Sequence, residues 1–234
     1  MELRALEHID REGGNVICID KPLDWTSFDV VKKIRHAGRF KKIGHAGTLD
    51  PLASGLLILC TERKTKTIES IQAQEKEYTA RFFLGASRPS FDRETEIDKE
   101  SPFDLATSVQ RLQEVADGFL GFQDQVPPLF SAVMVNGQRA YTLARKGAEV
   151  ELKPKTIEIT AFEVVAWQHP FIDVRIACSK GTYIRSIVRD FALKMGTLGY
   201  LENLRRTKIG DYNVENSWTV DQLAAELRNT TTTP

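Results

Sequence analysis

Several things are scarce in this chain, and each scarcity excludes something. No apolar run approaches the ~20 residues of a membrane span, and the first fourteen residues, MELRALEHIDREGG, are charged throughout and lack the apolar core of a signal peptide. Both point to a cytoplasmic protein away from membranes. There are three cysteines, Cys18, Cys60 and Cys178, far apart and each beside apolar, strand-like residues. That pattern fits reduced structural thiols and offers neither a disulfide framework nor a zinc or redox spacing. An excess of charge of either sign is also missing: 32 basic residues meet 32 acidic ones. A zero sum argues mildly against a nucleic-acid partner, so the distribution has to decide.

The distribution is uneven. Val30 to Leu49 holds no acid but carries Lys32, Lys33, Arg35, Arg39, Lys41 and Lys42, and a second basic group runs from Arg175 through Lys208. The acids gather at Asp92, Glu94, Glu96, Asp98, Glu100 and Asp104. Such clusters are often only solvated helix faces. Here they flank one unusual loop, and a basic face cleared of acids can track phosphates at zero net charge.

That loop is Gly44 to Leu56, GHAGTLDPLASGL. Gly44, Gly47 and Gly55 surround one carboxylate, Asp50; Pro51 fixes its own φ and pushes Asp50 toward an extended conformation. The sequence therefore predicts a rigid loop that presents Asp50 outward, with Leu56 to Cys60 behind it as a buried strand. Asp-Pro is also a common turn, so these residues alone leave turn and catalyst at even odds. The loop is not a phosphate cradle, because it lacks both the Gly-Lys-Ser/Thr ending of a P-loop and the dinucleotide fingerprint.

Along the chain, Asn15 to Asp20 reads as a strand. A helix follows to about Ala37, capped by Ser27 or Thr26, with Phe28, Val31 and Ile34 on one face and Gly38 as its stop. Thr65 to Ser70 reads as a short helix, Glu77 to Leu84 as a strand, Ser87 to Pro102 as an acidic loop, and Leu105 to Gly118 as a helix with Val109, Leu112 and Val115 inward. Phe119 to Leu129 reads as loop, because Pro127-Pro128 excludes a central element. Ser131 to Val135 and Ala148 to Leu152 are strand-like, Asn136-Gly137 is a hairpin turn, and Ala140 to Lys146 is helical. Thr156 to Trp167 and Phe171 to Ser179 form an antiparallel pair joined near His169-Pro170. Thr182 caps a helix whose face is Ile184, Ile187, Val188, Phe191, Ala192 and Met195. Leu198 to Leu204 continues helically, Arg205 to Ile209 is a short strand, and Thr219 to Leu227 a last helix. The fold class expected is α+β with a mixed, mainly antiparallel sheet flanked by helices. The expected boundaries are a polar lead-in over 1–14, one catalytic domain over 15–228 and a polar tail over 229–234.

The motif GHAGTLDPLASGLL resembles the central motif of the TruB-type tRNA pseudouridine synthases. Further matches follow in that family's order: Lys21-Pro22 with Thr26-Ser27, Lys76 to Tyr78, QVPPLFSA (125–132), Asn136-Gly137 to Tyr141, CSKGTYIR (178–185) and Leu204-Arg205-Arg206-Thr207. They span roughly Val16 to Gly210. The resemblance implies the pseudouridine synthase core, a central catalytic cleft, and isomerisation of the T-loop uridine of tRNA by base flipping, without cofactor or metal, in a chain expected to be a monomer. It makes Asp50 the catalytic residue. It places Tyr78 under the target uridine, Tyr183 beside Asp50, and Leu204 as an apolar wall. His45 would pack where the T-loop opens, and Lys21 would contact RNA or brace the loop. Arg185, which composition alone would leave on the surface or on a phosphate, becomes the partner that keeps Asp50 ionised.

The chemistry agrees. A carboxylate is the natural nucleophile or charge stabiliser at a glycosidic carbon, and the missing second carboxylate suits isomerisation better than hydrolysis. Two rivals remain: a non-catalytic tRNA chaperone on the same scaffold, against which the Asp50, Tyr78, Tyr183 and Arg185 set speaks, and a nucleoside or glycoside hydrolase. The chain departs from the family pattern at LGASRPSFDRETE (84–96) and at Phe130 and Met134, so no RNA contact is assigned there. The 27 residues after Thr207 are below the ~40 that an unstapled domain needs, hence no C-terminal PUA domain is expected.

Overall fold

The computed structural model describes residues 9–103, 106–135, 137–145 and 151–232. In chain order the elements are β1 (Val16–Lys21), α1 (Ser27–Gly38), β2 (Ile43–Ala46), β3 (Ala53–Thr61), a 3-10 segment (Glu62–Thr67), α2 (Ile68–Ala73), β4 (Lys76–Leu84), β5 (Ala86–Ser87), β6 (Lys99–Glu100) and α3 (Val109–Asp117). Then come β7 (Gly121–Gln125), β8 (Met134–Val135), β9 (Gln138–Arg139), α4 (Ala140–Ala144), β10 (Lys155–Gln168), β11 (Phe171–Cys178), α5 (Ile184–Lys194), β12 (Gly199–Ile209), β13 (Tyr212–Asn213), β14 (Trp218–Thr219) and α6 (Val220–Thr232). Strands with helices between them, paired mostly antiparallel, make the α+β class that the hydrophobic pattern implies.

The chain divides into two compact units. The first is residues 1–78 with 204–234, and the second is residues 79–203. Strands β4 and β12 each contribute residues to both.

In the first unit everything is built on β3. Its sequence ASGLLILCT is apolar without alternation, which suits a strand covered on both faces. One edge pairs with β1 along its length, Ile19 opposite Leu57. The other edge is shared: β12 runs parallel to its start, Leu204 opposite Ala53, and β2 antiparallel to its end, His45 opposite Leu59. The period-2 alternation then sorts the side chains. Ile17, Ile19, Leu57 and Leu59 pack against Val30, Ile34, Leu223 and Leu227 of α1 and α6. Cys18, Leu56, Ile58 and Cys60 face the other way, with Ile71, Ile209 and Val214. Burial pushes the Cys18 thiol up to about 12, so it stays a protonated packing group.

Helix α1 begins at a capping box. Thr26 accepts from the Asp29 amide, and Asp29 accepts from the Thr26 amide, both at 3.0 Å. The cap is thus Thr26, which frees Ser27 for another task. The buried face is Val30, Val31, Ile34 and Ala37, while Phe28 is 69% exposed. Phe28 lies three residues from Val31 but beside the capping turn, outside the stripe that meets the sheet. The left-handed residue that ends the helix is Arg39, at φ 51, one past the expected Gly38.

The second unit centres on the β10–β11 hairpin, with Val164 opposite Val174, and on β7 along the free edge of β10. Phe82, Phe119, Phe162 and Phe191 cluster there, from β4, the turn after α3, β10 and α5. Four expectations change. Gly121–Gln125 is a strand, because the prolines at 127 and 128 fall after it rather than within it. Residues 199–204 belong to β12: Gly196 at φ 76 breaks the helix, and the stretch that follows finds strand partners in place of helix contacts. Thr182 does not cap α5. Its hydroxyl donates to the Ser179 carbonyl, and the buried Gln125 side chain instead takes the Tyr183 amide at 2.8 Å. In α3 the inward residues are Leu112, Val115 and Ala116, with Val109 exposed, because Ser108 starts the helix later than expected.

Smaller differences follow from the same causes. Residues 10–13 form a turn held by Asp10, whose carboxylate accepts the Gly13 and Glu12 amides. Helix α6 continues through Thr232, so 229–232 is helix rather than tail. The expected strand at 131–135 is reduced to Met134–Val135, paired with β9, and Gly137 takes φ 80 in the turn between them. The partner Asn136 and most of the strand expected over 148–152 lie outside the described residues; Leu152 itself is buried outside any strand.

Candidate active site

The glycine-rich loop is shorter than its sequence suggests. Gly44 to Ala46 belong to β2 and Ala53 onward to β3, leaving residues 47–52 to connect them. Within this connection every carbonyl from 47 to 51 is engaged. Gly47 O accepts from Arg206 Nη2 at 3.0 Å, and Thr48 O lies 3.5 Å from Arg206 Nη1. The Ser27 hydroxyl accepts the Leu49 amide at 2.9 Å and donates to the Leu49 carbonyl at 3.2 Å. Asp50 O accepts the Ala53 amide, and Pro51 O accepts the Asp24 amide, at 3.0 and 2.9 Å. A six-residue loop with its backbone satisfied in this way is held in place, because an alternative conformation would give up these hydrogen bonds. Its one ionisable side chain, Asp50, is half-buried.

The other candidates of the first unit gather on the strands around this loop. Lys21, at the end of β1, is fully buried; its ammonium donates to Pro22 O, Trp25 O and Pro51 O at 2.8, 2.7 and 3.4 Å. Burial lowers its pKa to about 8, opposed by the attraction of Asp50. Of the two tasks open to Lys21, this geometry supports the brace. His45, on β2, has its pKa lowered by burial and then by the Arg206 charge, and its Nδ1 is buried without a hydrogen-bond partner. A neutral, half-buried imidazole with an unmet ring nitrogen is poised to accept or donate a hydrogen bond. Leu204, buried on β12, stands opposite Ala53, three residues beyond Asp50. Tyr78 is 9% exposed near the start of β4, where Glu77 accepts from the Thr207 hydroxyl at 2.9 Å.

Tyr183 and Arg185 belong to the second unit. Tyr183 precedes α5, and its peptide is held at both ends by Gln125. Arg185 is 5% exposed and faces Asp92 at 3.4 Å, with further donation to Phe130 O at 2.9 Å and Ser90 O at 3.3 Å. Asp92, one of the acids gathered between the two basic groups, is 6% exposed. Its strand bridge to Leu201 carries it inward.

Three residues have structural roles that the motifs, two of which contain Ser27 and Arg206, do not assign. Arg206 is 2% exposed and anchors the loop; reading 199–209 as one strand would have found it, since alternation puts it on the face of Leu204. Ser27 holds Leu49 and passed for a helix cap. In the sequence Asp92 reads only as part of an acidic loop. Among the described residues no group of His, Cys, Asp or Glu is placed to hold a metal, and no helix is long and apolar enough to cross a membrane.

Comparison with known proteins agrees with the geometry. The family of TruB pseudouridylate synthases matches in its N-terminal domain over residues 35–184, and the C-terminal domain of tRNA pseudouridylate synthase B matches over residues 185–233. The tRNA pseudouridine synthase B of Flavobacterium johnsoniae is 48% identical over 211 residues, 87% of this chain and 92% of that protein. That of Chloroherpeton thalassium is 46% identical over 222 residues, 93% of this chain and 92% of that protein. Among solved structures, a chain of an H/ACA RNP bound to a substrate RNA containing 2′-deoxyuridine aligns with a TM-score of 0.69 at 25% identity; the match covers 95% of this chain and 55% of that longer one. With Asp50 on a rigid loop, the motif set in order and these matches across nearly its whole length, this chain belongs to the TruB family of pseudouridine synthases.

Proposed function

We propose that this chain isomerises uridine to pseudouridine in the T loop of tRNA, with Asp50 as the catalytic carboxylate acting on a flipped-out base. The observation that carries this is the loop 47–51, whose every carbonyl is engaged so that the backbone carrying Asp50 is held in one place. Isomerisation breaks C1′–N1 and forms C1′–C5. The C5 proton is lost and N1 gains one, so atoms balance without an added reagent. A carboxylate is suited to take or stabilise positive charge as the glycosidic bond weakens. A uracil out of its stack needs an apolar or aromatic bed, for which we assign Tyr78, Tyr183 and Leu204. Arg185 supplies positive charge to the carboxylate, His45 fills the space the base leaves, and Lys21 braces the loop.

The tRNA as partner is supported by a basic concavity of about 820 Å³, lined by Lys32, Arg35, His36, Arg39, Lys41 and Arg228 around Ala37 and Phe40. Its lining holds no acid, which suits a phosphate backbone. The test is Asp50→Asn with a T-arm transcript. Pseudouridine formation is expected to vanish while tRNA affinity stays within about twofold, because phosphate contacts supply most of the affinity. Turnover near the wild-type rate in a clean Asp50→Asn preparation would remove the assignment.

A further inference from the structure

We propose that Arg206 is a positioning residue for catalysis: its buried guanidinium ties the loop backbone before Asp50 to strand β3 after it and so fixes where the carboxylate stands. This rests on the function proposed above. The side chain is 2% exposed, and its contacts fall on the loop and on the strand that the loop leads into. Nε donates to Leu56 O at 2.8 Å, Nη2 to Gly47 O at 3.0 Å, and Nη1 makes a longer contact to Thr48 O at 3.5 Å. Two of these carbonyls precede Asp50 and one follows it. Ser27, Asp24, Lys21 and Ala53 hold residues 49–51, whereas the carbonyls of 47 and 48 are held by Arg206.

The surroundings are cut to this contact. Gly47 has φ +87, and a Cβ there would stand in ordinary contact with Nη1 at 3.5 Å, so the left-handed backbone rather than lack of space calls for glycine. Gly55 has φ +100, and a Cβ there would stand 2.3 Å from the carbonyl oxygen of Arg206. The strand carrying the arginine thus presses on the backbone where loop becomes strand. A guanidinium suits the task because its donors are fixed in one rigid plane; an ammonium is a point charge on a flexible stem and cannot hold the same carbonyls at once. A buried cation is tolerated only if well solvated by fixed dipoles, so guanidinium and loop order each other. Catalysis by an oriented group is sensitive to about 1 Å, where a misplaced group loses about a hundredfold.

The experiment first measures wild-type pseudouridine formation on a T-arm transcript in single turnover. Absence of product there would overturn the proposed function itself, apart from any role of Arg206. With wild-type active, Arg206→Lys and Ser27→Ala are compared with it, folding being checked by heat denaturation. In Arg206→Lys the single-turnover rate is expected to fall by about tenfold or more with tRNA Kd within about twofold. In Ser27→Ala, which frees Leu49 alone, a smaller fall in the same sense is expected. A purely structural role would lower stability and leave the rate of the folded fraction untouched. An unchanged rate in folded Arg206→Lys, or rate and affinity lost in equal measure, would overturn the proposal. If Arg206→Lys does not fold, Ser27→Ala decides: a slower rate with intact binding supports it, and an unchanged rate overturns it.

Discussion

At Lys21, burial draws the ammonium from the usual 10.5 down to about 8, against the pull of Asp50. The unfolded chain would keep the higher value. Between about pH 8 and 10.5, unfolding therefore takes up a proton, and the contribution of this group to stability rises with pH across that window. Below pH 8 the folded protein carries the full penalty of a buried charge. Urea unfolding of wild type and Lys21→Met at pH 7.5 and pH 10 is expected to show their difference moving in favour of wild type at the higher pH. A constant difference would mean the ammonium keeps its ordinary pKa. Arg185 and Asp92 pose the complementary case, two opposite charges each about 5–8% exposed. Removing one takes a close opposite charge from the other, and breaking a buried pair typically costs about 3–5 kcal/mol. Asp92→Ala is expected to fall in that range by denaturant unfolding, whereas a surface pair would lose less than about 1 kcal/mol.

Strand β12 is the element on which the site depends most. It carries Leu204 and Arg206 inward by alternation, while Arg205 faces the opposite way and forms a fork with Asp20 at 2.9 and 2.7 Å. Its parallel pairing with the start of β3 requires the backbones to meet at Gly55, opposite Arg206. Gly55→Ala would combine a strained positive φ with a Cβ inside van der Waals distance of the Arg206 backbone. Strain of this kind costs about 1–3 kcal/mol and overpacking about the same again. A loss of at least about 2 kcal/mol is expected in chemical denaturation. A neutral result would show that β12 can draw back without harm.

For the molecule as a whole, zero net charge hides a local basic concavity in the first unit. If the concavity bounded by Arg35, Arg39, Lys41 and Arg228 meets phosphates, tRNA affinity should fall steeply with salt. Arg39→Gln combined with Lys41→Gln should then flatten the log–log slope by about 1 for each phosphate that is no longer neutralised. Because these side chains lie beyond the far end of α1 from Ser27, the rate of a saturated enzyme should hold. An unchanged slope would return them to the role of a solvated face.

Much of this was legible in the residues themselves. The run LLILC demanded a buried strand, Ser27 or Thr26 marked the start of α1, and the order of motifs around GHAGTLDPLASGL indicated the family and its carboxylate. These are local signals, fixed by side-chain chemistry within a few positions. What the sequence could not settle are the choices made by partners distant in the chain. Residues 199–204 look helical until the stretch continues into the strand that pairs with β3, and Asp92 is one acid of a loop until its bridge to Leu201 draws it in. Arg206 is one basic residue among many until the sheet turns it inward beneath a loop more than 150 residues earlier in the chain. Burial of a polar group is a property of the assembled neighbourhood, and only tertiary structure decides which charged side chains are taken from water to hold a loop in place.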